Sequence, residues 1–95
     1  MPARPLNVGP LSRMDEPLAQ YSMVEVAKLL HAPDHYDGWR LNKRPPALGD
    51  RGTIVEILHA AGQTAYVVEA AGPDGVTIWL GDFDGEELRP VGDAG

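Results

Sequence analysis

Four short runs most constrain this chain: TIVEIL (53–58), AYVVEA (65–70), VTIWL (76–80) and LRPV (88–91), each bounded by Gly, Pro or Asp. Runs this short, rich in β-branched and aromatic residues and closed by turn formers, make strands rather than helices. In 65–70 the alternation puts Tyr66, Val68 and Ala70 on one face and Val67 and Glu69 on the other. AGPDG (71–75) is a hairpin turn, and HAAGQT (59–64) turns the chain between the first two runs. GDFDGEE (81–87) is too rich in Gly and acids to extend the third run, with Gly81 and Gly85 bending the chain and Phe83 packed inward. Pro90 marks the last run as an edge strand.

YSMVEVAKLL (21–30) admits two readings. Met23, Val26, Ala27 and Leu30 have helical spacing behind a capping-box pattern, Ser22-x-x-Glu25. The same residues also alternate as a strand. A flat meander of so few strands would expose its edges, whereas a first strand at 23–29 lets the sheet close. The expected fold is therefore all-β: a small SH3-like five-stranded barrel over residues 21–92, with a long first loop. Residues 1–20 are expected to form a flexible N-terminal arm, because 1–17 hold four of the nine prolines and show no periodicity.

Composition narrows the chemistry. The 95 residues suit one small domain and include no Cys, so disulfides, thiolate metal sites and a Cys nucleophile are ruled out. Residues 1–17 lack the apolar core of a secretory leader, and no apolar run approaches the roughly 20 residues that cross a bilayer. The expectation is a soluble, cytoplasmic protein. The net charge of −6 is uneven: residues 1–52 hold seven of eight Lys and Arg against six acids, and 53–95 hold Arg89 against eight acids. An acidic body opposes general nucleic-acid binding and suits a partner with a basic surface.

LGDRGTIVEIL (48–58), AYVVEA, DGVTIWL and the closing ELRPV together resemble the small bacterial family catalogued as domain of unknown function 4926. The shared positions are Gly49, Gly52 to Glu56, Tyr66 to Glu69, Asp74-Gly75 and Glu87 to Pro90, within a match over roughly residues 23–91. The loop HYDGWRLNKRPPA is longer and more basic than in the short members. The resemblance implies an SH3-like barrel with no known enzymatic activity. Some members sit beside toxin-like genes, which implies an immunity or antitoxin role.

Gly49-Asp50-Arg51-Gly52 is read as a structural turn. A phosphate loop would need a longer Gly-rich run, a Lys and a following helix, and here Arg51 is followed by a strand. The ribosomal-type KOW modules, which share the G-D-x-G turn and the barrel, are basic where this chain is acidic. His31, Asp34, His35 and Asp37 are ligand types for a divalent metal, but Pro33 stops the two His from sharing a helical face, and they are read as solvated turn formers. Asp82, Asp84, Glu86 and Glu87 lack the alternating acids and flanking helices of a calcium loop. His59 lies at a turn, and Trp79 is a core residue. The residues point to no catalytic group, no metal and no cofactor.

Trp39, Arg40, Lys43 and Arg44 set an aromatic among cations, a combination favoured at protein interfaces and also able to stack on bases. Its bland alternative is a loop whose Trp caps the barrel. The expected function is a non-enzymatic protein-binding module, an immunity or antitoxin-type inhibitor of one bacterial toxin or enzyme. In it Asp82, Asp84, Glu86 and Glu87 face a basic groove and Trp39 and Arg40 anchor the rim, beside Lys43 and Arg44. The alternatives are a KOW-like nucleic-acid-binding barrel, using the same cations with Arg51, and an accessory subunit of a metalloenzyme.

Overall fold

The computed structural model describes residues 18–91, and expectations about residues 1–17 and 92 lie outside it. Five strands, β1 (Met23–Val26), β2 (Arg51–Ala60), β3 (Gln63–Ala71), β4 (Thr77–Phe83) and β5 (Leu88–Pro90), form one antiparallel sheet in the order β4-β3-β2-β1-β5. The fold is all-β, and among the described residues the only helical pieces are 3₁₀ turns at Pro33–Asp37 and Gly85–Glu87. No helix of the described residues is long and apolar enough to cross a membrane.

The ambiguous segment is a strand. Val24 and Val26 point into the core, while Glu25 on the outer face takes Arg89 at 3.1 Å and Arg51 at 4.0 Å. Ser22, which the capping-box pattern would place at a helix start, donates instead to the Ala19 carbonyl at 2.6 Å. The strand is shorter than the 23–29 expected, because the Ala27 and Lys28 N–H groups both turn to the Glu87 carbonyl, at 2.8 and 3.2 Å.

Val24, Val26, Tyr36, Ile54, Val68, Ala70, Trp79, Phe83 and Leu88 make one buried cluster. Tyr36 stacks on Phe83 with centroids 4.9 Å apart, and Trp79 tilts against the same ring at 5.5 Å. Each such pair adds about 0.5–1.5 kcal/mol to simple burial. The expected inner face of β3 is right for Val68 and Ala70, with Tyr66 packed at its margin; Val67 on the other face is buried as well. One expectation needs correction. Gly81, Asp82 and Phe83 continue β4 rather than breaking it, each paired with β3, and the bend comes only at Asp84.

The Gly49–Gly52 turn is structural at both glycines, for different reasons. Gly49 has φ +88°, in the left-handed region where glycine is unstrained. Gly52 is needed for space: a Cβ there would lie 2.6 Å from the Glu69 carbonyl oxygen across the sheet. Ahead of β1, Leu18 packs on the core and Gln20 Nε2 donates to the Val55 carbonyl at 3.0 Å, so residues 18–20 lie against the sheet.

Candidate functional site

The connection from Ala27 to Asp50 carries most of the residues singled out from the sequence, and two carboxylates, Glu87 and Asp50, anchor its ends. Its two ends meet at Val26, whose N–H donates to the Asp50 carbonyl at 2.8 Å and whose carbonyl accepts from Gly49 N–H at 2.9 Å. Along its course Lys43 N–H donates to the Ile78 carbonyl at 2.7 Å, and Asn42 Oδ1 accepts from Leu80 N–H at 2.8 Å. The loop thus covers the outer edge of β4, an edge that would otherwise invite pairing with another chain.

Glu87 holds the start of the loop. It has no exposed surface. Its Oε2 accepts from the Tyr36 hydroxyl and, at 2.9 Å, from Leu30 N–H, and its Oε1 accepts from Asp84 N–H at 2.8 Å. The Tyr36 oxygen in turn accepts from His31 N–H at 3.1 Å. Burial, and then the hydrogen bond to Glu87, push the Tyr36 phenol up to about 12, so it stays a donor across the physiological range. Above this network His31 Nε2 lies 3.1 Å from Asp84 Oδ2, and His31 stacks on His35 with centroids 4.0 Å apart. A cavity of about 630 Å³ opens beside these groups, lined also by Thr64 and Glu86.

Asp50 holds the end. Its carboxylate takes Arg44 through both guanidinium nitrogens at 2.7 and 3.2 Å, Ala47 N–H at 2.9 Å and the Trp79 indole N–H at 2.9 Å. Burial pushes this carboxyl up, but Arg44, Ala47 and Trp79 outweigh that and hold it below its ordinary value. Asp50 therefore ties a core indole to the loop's own cation.

Between these anchors the loop tip is exposed. Trp39 is 46% exposed, and its indole N–H donates to Asp82 Oδ1 at 2.9 Å. Arg40 follows with φ +57°, a left-handed conformation costly for a non-glycine residue. A groove of about 360 Å³ runs between Pro33, Asp34 and Asp37 on one side and Asn42, Lys43 and Arg44 on the other.

The structure thus brings together two groups that sequence spacing had kept apart. Trp39 from the cationic cluster meets Asp82 from the acidic turn. Arg40, Lys43 and Glu86 are exposed and make no ion pair within 4.0 Å among the described residues. Arg44 is engaged by Asp50, and Asp84 by His31. Glu87 is the correction: it cannot face a partner, because its carboxylate is enclosed and turned onto Tyr36, Leu30 and Asp84. The four loop candidates for a metal also separate. His31 and His35 stack beside Asp84, while Asp34 and Asp37 line the other groove.

Sequence reasoning missed Asp50 and Tyr36 as anchors. For Asp50 the only signal was its place between two turn glycines and a strand. Tyr36 was hidden in a polar loop, HYDGW, where nothing marks an aromatic as core. No family model, no curated protein and no solved structure was found to match this chain.

Proposed function

We propose that this chain is a non-enzymatic protein-binding module that docks one partner through its long loop and acidic turn. The observation that carries it is the placement of exposed apolar side chains. Leu29, Leu30, Trp39, Leu41 and Leu48 are all exposed and all belong to the loop, among nine exposed large hydrophobic residues in the described chain. Exposed apolar groups gathered on an anchored loop are what an interface uses, and Trp is a favoured hot-spot residue. Asp84 and Glu86, exposed beside a body of net charge −6, favour a partner with a basic surface and speed encounter with it.

The fold is proposed as a small SH3-like barrel. Two features support this: β2 is shared between β1, through Arg51–Thr53, and β3, through Thr53–Ala60, and a bulge between Ile54 and Glu56 lets the shared strand bend. With the resemblance to domain of unknown function 4926, the sharper reading is a cytoplasmic immunity or antitoxin-type inhibitor covering a basic active site. The pairing of Arg44 with Asp50 and of Arg51 with Glu25 weighs against the KOW-like nucleic-acid reading.

A nuclease-treated pull-down from native cells, read by mass spectrometry, tests the proposal. It expects one near-stoichiometric protein whose capture falls at least about tenfold in Trp39→Ala, a loss typical of a hot spot. An Asp84→Lys, Glu86→Lys double variant should weaken capture more at low than at high salt. Capture insensitive to all three substitutions, or lost on nuclease treatment of the wild type, overturns it.

A further inference from the structure

Glu87 is a carboxylate with no exposed surface, and no Lys or Arg comes within 4.0 Å of it among the described residues. Buried carboxylates are ordinarily paired with a cation or held on a metal ion. Beside it stand His31 and Asp84, and one ligand atom from each of the three residues lies within 4.8 Å of the others. The 3.1 Å between His31 Nε2 and Asp84 Oδ2 is close to the spacing of two ligands on one tetrahedral ion. With ligand bonds of roughly 2.0 Å, such ligands stand about 3.3 Å apart.

We propose that His31, Asp84 and Glu87 form a binding site for a divalent transition-metal ion of the zinc class. His31 binds through unprotonated Nε2, releasing to solvent any proton it carries there. Asp84 binds through Oδ2, trading its contact with His31 for the shared ion. Glu87 binds through Oε1, which accepts one hydrogen bond and keeps a lone pair, whereas Oε2 already takes two donors. The Tyr36 hydroxyl and Leu30 N–H fix that carboxylate from behind, as outer partners do for metal ligands. One imidazole with two carboxylates suits zinc better than calcium or magnesium, which take oxygen ligands alone. The 630 Å³ cavity lined by His31, Asp84 and His35 adjoins the site and leaves room for a fourth ligand.

Two observations separate this site from a solvated acidic surface. One ligand is wholly buried and oriented by three hydrogen bonds, and the ligands converge from two distant chain segments, the loop start and the turn after β4. The site does not depend on the protein-binding reading.

The experiment is calorimetric titration of the full chain, stripped of metal with a chelator, with Zn²⁺ alone, alongside thermal melts with and without the ion. The expected result is saturable one-to-one binding and a raised Tm, because an ion held only by the folded state stabilises it. His31→Gln and Asp84→Asn, both at exposed positions, should each weaken Zn²⁺ binding by about tenfold or more. His59→Ala, on the far hairpin, should leave it unchanged. Absence of saturable binding to the wild type, or binding equally strong in His31→Gln and Asp84→Asn, overturns the proposal.

Discussion

The β2–β3 hairpin and the Ala27–Asp50 loop are of similar length and are held in opposite ways. The hairpin runs Arg51–Ala71 as a backbone ladder, and its tip, Ala61-Gly62, has φ values of +53° and +79°. Two central residues with positive φ are the hallmark of the two-residue turn whose twist matches the strands. The loop has almost no ladder. Its path is fixed by side chains reaching backbone groups: Glu87 at one end, Asp50 at the other, and Asn42 along β4. Stability in the hairpin is spread over many equivalent bonds, whereas in the loop it is concentrated in a few carboxylates. Single side-chain deletions should therefore damage the loop far more than the hairpin.

The sharpest break is Glu87→Ala. It strands the Tyr36 hydroxyl and the Leu30 and Asp84 N–H groups, and a loss of about 3–5 kcal/mol in urea unfolding is expected. Tyr36→Phe, which keeps the stacking on Phe83 but removes one donor, should cost about 1–2 kcal/mol. Equal costs for the two would mean that the single bond from the Tyr36 hydroxyl, and not the carboxylate's bonds to Leu30 and Asp84, holds the loop. Asp50→Ala comes next, at about 2–3 kcal/mol. That figure rests on the buried Trp79 indole left without its acceptor. The exposed Arg44 contributes little of it, since half-exposed ion pairs are screened by solvent.

The same contrast explains what the sequence made legible. Alternation and turn chemistry exposed β2, β3 and β4, because a ladder leaves its period of two in the residues. Placing β1 took a topological argument, since MVEVAKLL fits both periods. The loop left no such trace. Glu87 looked like one more acid in GDFDGEE, yet a 3₁₀ turn swings it inward while Asp84 and Glu86 remain outside. His31 and Asp84 are distant in sequence, so their meeting depends wholly on how the chain leaves β1 and β4. Side chains that bond to backbone far along the chain have no local spacing to betray them.

Acid should loosen the loop through its Asp50 end. The native Asp50 carboxyl titrates below its unfolded value, so its contribution is present above the unfolded value of about 3.9 and is lost as pH falls through the native one. Urea midpoints measured from neutral pH down to about pH 3 should fall more steeply in wild type than in Asp50→Asn, which has no proton to gain. Parallel pH profiles would remove Asp50 as the acid-sensitive anchor.

The smallest effect should be at the hairpin tip, and with the opposite sign. Ala61 holds φ +53° without the local hydrogen bonding that lets Asn accept that region, so its methyl carries a penalty. Asn-Gly is the favoured pair for this turn, and Ala61→Asn should stabilise the protein by about 0.5–1 kcal/mol. Such a gain would show that the hairpin's weakness lies in one backbone conformation, while the ladder behind it is sound. A loss of stability would mean that Ala61 is held by contacts rather than tolerated, and the contrast between a ladder-held hairpin and a side-chain-held loop would need redrawing. Hydrogen exchange gives the second check: in the variant, protection should rise for the Gln63–Tyr66 amides near the tip and stay level in the loop, because the two regions are secured by separate sets of bonds.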